Sequence, residues 1–156
     1  DINDYSGDGR LIDNGKSAAT DRYVLELGVI SIDRNEVNSY QISNLPKSNF
    51  VVGFNIIYTG DNPSKFESGF VSPLISLQLE DSEGNIVFSK ESGLDTWTWS
   101  IPSNKNEAFV YGQGNPGTYF ESSSKSQYVL KCKVVDPFLG DSDHSVELLA
   151  KSGGWK

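Results

Sequence analysis

The sequence predicts an all-β domain, an antiparallel β-sandwich of about nine strands of jelly-roll or immunoglobulin-like type. Three observations carry that prediction. Apolar and polar residues alternate at period 2 from Tyr23 onwards. Clusters of Gly, Pro, Asn, Asp and Ser interrupt the alternation roughly every ten residues, and no stretch repeats apolar residues at helical spacing.

The first 20 residues are polar and turn-rich (Ser6-Gly7-Asp8-Gly9, Asp13-Asn14-Gly15). They read as an irregular lead-in or edge segment before a single sandwich domain over residues 21–156. Tyr23, Leu25 and Leu27 then share one face, but after Gly28 the apolar phase moves to Ile30 and Ile32. One extra residue in a strand has this effect, so a bulge is expected near Gly28. Val37–Ile42 is a short, mostly polar strand suited to an edge, and Leu45-Pro46 ends it. Phe50, Val52, Phe54, Ile56 and Tyr58 form the most continuous apolar face in the chain. The opposite face of that strand carries Val51, Gly53, Asn55, Ile57 and Thr59, and is itself partly apolar. A strand apolar on both faces belongs at the centre of a sheet, here under a covering loop.

Ile75, Leu77 and Leu79 point inward, and Asp81-Ser82-Glu83-Gly84-Asn85 separates them from Ile86 and Phe88. A glycine in a short polar gap between two alternating runs predicts a hairpin with a bulged loop. Thr96–Ile101 reads as a strand with Trp97, Trp99 and Ile101 on one face. Ala108–Tyr111 is a short strand closed by a glycine-rich segment. Tyr128, Leu130, Cys132 and Val134 form another inward face, and Val146, Leu148 and Ala150 the last.

Composition bounds the function. A chain of 156 residues fits one domain, which at this size buries about 68–70% of its unfolded surface. It is 37% hydrophobic and 12% aromatic, too apolar to stay disordered. Net charge is −8 without a Lys/Arg cluster, which argues against nucleic acid and against docking on anionic lipid. No apolar run approaches the ~18 residues of a membrane span. Cys132 is the single cysteine, so no internal disulfide forms, which argues against a true antibody-type domain. Asn62-Pro63-Ser64 has a proline where a glycosylation sequon forbids one. The chain opens on Asp1 rather than methionine, as a processed or trimmed chain would. With the acidic balance and Ser/Asn/Gly/Thr-rich turns, this favours an extracytoplasmic setting: periplasmic, surface-anchored or secreted.

Candidate chemistry is sparse. Nucleophilic catalysis needs a base beside the nucleophile, and His144 is the only histidine. Cys132 lies on an apolar alternating face, where a buried inert thiol is expected. Two acidic segments are candidate cation sites. Asp4-Tyr5-Ser6-Gly7-Asp8-Gly9 matches the opening of a calcium loop, with Asp4 and Asp8 as oxygen ligands. Its twelfth position is Gly15 instead of the bidentate Glu, so a plain Asp/Gly turn is favoured. Asp141, Asp143 and His144 could gather round a cation in the same way, against the simpler reading of a solvated turn. Trp97 and Trp99, two apart, would put both rings on one strand face about 7 Å apart. With Tyr111 and Tyr119 they could form a platform for sugar rings, against a favoured reading in which Trp97 and Trp99 are core.

The expected function is therefore a non-catalytic, extracytoplasmic interaction domain, monomeric, that binds another protein and needs no cofactor. A carbohydrate-binding module with an aromatic platform, and calcium in support, is the alternative. A glycosidase is a minor third, because 21 acidic residues guarantee some carboxylate pair at catalytic spacing.

Overall fold

The computed structural model describes residues 4–17, 20–46, 48–60, 73–100, 107–111, 120–121, 127–139 and 143–152. Within them two antiparallel sheets pack face to face as a β-sandwich. The smaller sheet runs in the order β1 (Ser6–Gly7), β4 (Val37–Ser43), β11 (Gln127–Asp136), β6 (Leu74–Asp81), β7 (Ile86–Gly93). The larger runs β2 (Arg10–Ser17), β3 (Thr20–Ile30), β12 (His144–Ser152), β5 (Asn49–Tyr58), β9 (Glu107–Tyr111), β8 (Thr98–Ser100). The short β10 (Phe120–Glu121) also pairs with β5.

The chain crosses repeatedly between the sheets, from β3 to β4, β4 to β5, β5 to β6, β7 to β8, β10 to β11 and β11 to β12. β3 pairs β12, β4 pairs β11, β5 lies between β12 and β9, and β6 lies between β11 and β7. This nesting is that of a jelly roll. In the immunoglobulin plan, by contrast, one sheet takes strands A, B, E and D and the other C, F and G.

Period-2 patterning sets what each sheet buries. Phe50, Val52, Phe54, Ile56 and Tyr58 of β5 meet Ile75, Leu77 and Leu79 of β6 and Leu130, Cys132 and Val134 of β11 in one core. β5 is central, as its two apolar faces require.

The bulge falls where the phase change puts it. Leu148 pairs with Gly28 but Leu149 with Glu26, so Leu27 is the extra residue. Gly28 takes φ +107°, a value that side chains other than glycine's rarely tolerate. Apolar residues stay buried through the bulge: Leu25 before it, Leu27 within it and Ile30 after it.

The β6–β7 hairpin forms across Asp81–Asn85. The Asp81 carboxylate accepts from the backbone N–H groups of Glu83 and Asn85, each at 2.9 Å. Those bonds, led by Asn85, hold the carboxyl below its usual range. A second bulge follows: Leu79 pairs with Phe88 and Glu80 with Ile86, leaving Val87 extra. Phe88 is therefore buried while Ile86, two residues away, stays exposed.

Two segments differ from the sequence pattern. Residues 10–17 form β2, an edge strand on β3 whose register slips between Asp13 and Lys16. The Thr96–Ile101 run is not one strand. Leu94–Thr96 is a 3-10 turn and β8 begins only at Thr98, because the Leu94 N–H is drawn to the Pro73 carbonyl and Trp97 N–H to that of Leu94. No helix among the described residues is long and apolar enough to cross a membrane.

Candidate functional site

The predicted residues scatter across the fold. Trp97 is 3% exposed, lies 5.4 Å from the Phe54 ring, and directs its indole N–H to the Ser92 carbonyl at 3.4 Å. A ring enclosed in this way offers no face to a sugar, so Trp97 leaves the platform and joins the core. The side chain of Trp99, and all of Tyr119, lie outside the described residues.

Asp8 is taken up by structure. Its carboxylate accepts from the Gln41 N–H at 2.7 Å and its own N–H donates to the Gln41 carbonyl at 2.8 Å. The glycine-flanked turn thereby fastens β1 to β4, as a plain Asp/Gly turn does. Asp4 is exposed at the start of this segment. Asp143 is exposed too, and its backbone carbonyl accepts from the N–H and hydroxyl of Thr59 at 2.7 and 3.0 Å. His144 opens β12 with its ring 5.3 Å from that of Tyr58. Asp141 lies outside the described residues. Among the described residues no three His, Cys, Asp or Glu side chains gather closely enough to hold a metal ion.

Cys132 and His144 stand on different sheets. The thiol is 2% exposed between Asn38 of β4 and Leu77 of β6, and burial first, then Glu36, pushes it up to about 12. A thiol at that value is unreactive near neutrality.

Of the four predicted ligand-binding aromatics, Tyr111 alone is placed on an outer face. β9 alternates, so Ala108 and Val110 enter the core while Phe109 and Tyr111 share the outer side of the larger sheet. Their rings stack 5.5 Å apart at 22°. The Phe109 ring lies over Gly53 of β5, where an added Cβ would come within 2.9 Å of its Cζ and 2.2 Å of the Val110 carbonyl oxygen. The absent side chain is what admits the ring. Val51 and Leu149 complete a second apolar cluster, separate from the core, with Val24 and Tyr111 half-buried at its margin.

Charge borders this cluster. Lys151 of β12 sits 5.9 Å above the Phe109 ring, its pKa lowered by burial and then by Arg22. Arg10 and Glu26 pair across β2 and β3 at 3.1 Å. Glu147 is raised, first by burial and then by Glu26, against the pull of Arg10. The smaller sheet carries a Lys131–Glu80 pair at 3.0 Å, and Val37 of β4 and Ile86 and Val87 of β7 are exposed.

Sequence reasoning missed Phe109, Leu149 and Lys151. The signal was present in β5, whose second face is apolar at Val51 and bare at Gly53, and which needed a cover; part of that cover is an adjacent strand's aromatic ring. Compared with known proteins, the chain matches no family model and no curated protein.

Proposed function

We propose that this chain is a non-catalytic β-sandwich binding domain whose recognition surface is the outer face of the larger sheet around Tyr111. We infer that its partner is another protein, met outside the cytoplasm. One observation carries the reading: half-buried Tyr111 and Val24 rest on a buried apolar cluster (Val51, Phe109, Leu149) distinct from the core, with Arg10 and Lys151 of one sign and Glu26 and Glu147 of the other beside them. Aromatic and apolar centres with charged rims are how protein interfaces are built, and a rim of both signs selects a partner surface equally mixed. The separation of Cys132 from His144 supports a domain that binds without catalysis. The extracytoplasmic setting rests on the acidic balance and turn composition.

The half-buried Tyr111 ring, ordered by its stack on buried Phe109, favours a saccharide as the second reading, since a planar ring receives the apolar face of a sugar. Titration of intrinsic fluorescence with a panel of oligosaccharides separates the two. A protein-binding domain gives no saturable change, whereas a saturable response abolished in Tyr111→Ala makes the ligand a glycan.

A further inference from the structure

We draw no further inference here: the strongest candidate, the Glu26–Glu147 carboxylate pair beside Arg10 on the outer face of the larger sheet, is an acidic cluster with no second observation that points to a ligand.

Discussion

Cys132 and the tyrosines at the open edge of the sandwich show what burial does to single groups. The thiol held at about 12 should not react with a disulfide reagent in the native protein, and should react with one equivalent once the chain is unfolded. Fast native labelling would place it outside the core. Tyr5 and Tyr40 are likewise raised from 10.0 to about 12. Burial leads in both, followed by Asp8 for Tyr5 and by Cys132, Glu36 and Asp8 for Tyr40. Their folded values lie above the unfolded one. The stability tied to the neutral hydroxyls is thus complete below pH 10 and is lost as pH rises through about 12. An ultraviolet titration should show these two phenols ionising late, and Tyr5→Phe with Tyr40→Phe should raise the pH of alkaline unfolding. Ionisation of all seven tyrosines near pH 10 would refute this. Cys132 was legible as core because it sits in phase with Leu130 and Val134. Trp97 was legible as core too, but for an incomplete reason: a local 3-10 turn, not a strand face, delivers it to Phe54.

Strands with uninterrupted alternation were readable, and irregular ones only where the irregularity left a mark. The apolar phase change at Gly28 located a bulge to within a residue, and the polar gap at Asp81–Asn85 located a hairpin. β2 escaped because Leu11 and Ile12 are adjacent and a register slip after Asp13 erases any period. The two glycines of the larger sheet make separable predictions. Gly28→Ala meets no atom within 4 Å, so it should cost only the backbone strain of a positive φ, roughly 1–2 kcal/mol. Gly53→Ala drives a methyl into the Val110 carbonyl and the Phe109 ring, and should cost about 1–3 kcal/mol by overpacking. It should also disturb Phe109 and Tyr111, which Gly28→Ala leaves alone. Denaturant unfolding with near-ultraviolet dichroism checks both, and an unchanged aromatic spectrum in Gly53→Ala would show that the ring does not rest on that glycine.

Strand order belongs to the whole molecule and was not legible, because it depends on contacts between residues far apart in the chain. Tyr23 N–H reaches the Ser152 hydroxyl across 129 positions at 2.8 Å, and no local pattern announces such a pairing. Alternation says which side of a strand is apolar; it does not say which strand lies next to it. Because both sheets share one core, its removal should be felt everywhere at once. Phe54→Ala, at a fully buried position against Trp97, should cost about 3–5 kcal/mol in a single unfolding transition. Two transitions would mean that the sheets unfold separately.

Two sheet-face variants decide whether the outer face of the larger sheet binds the partner. Tyr111→Ala with Lys151→Glu alters the outer face of the larger sheet, while Lys131→Glu alters the smaller one; both are first shown to unfold cooperatively like the parent. The measurement is retention of a native-host envelope or secreted protein on each immobilised domain. A protein held by the parent and by Lys131→Glu should be held at least tenfold more weakly by the larger-sheet variant. Equal retention by all three, or loss only with Lys131→Glu, would contradict it.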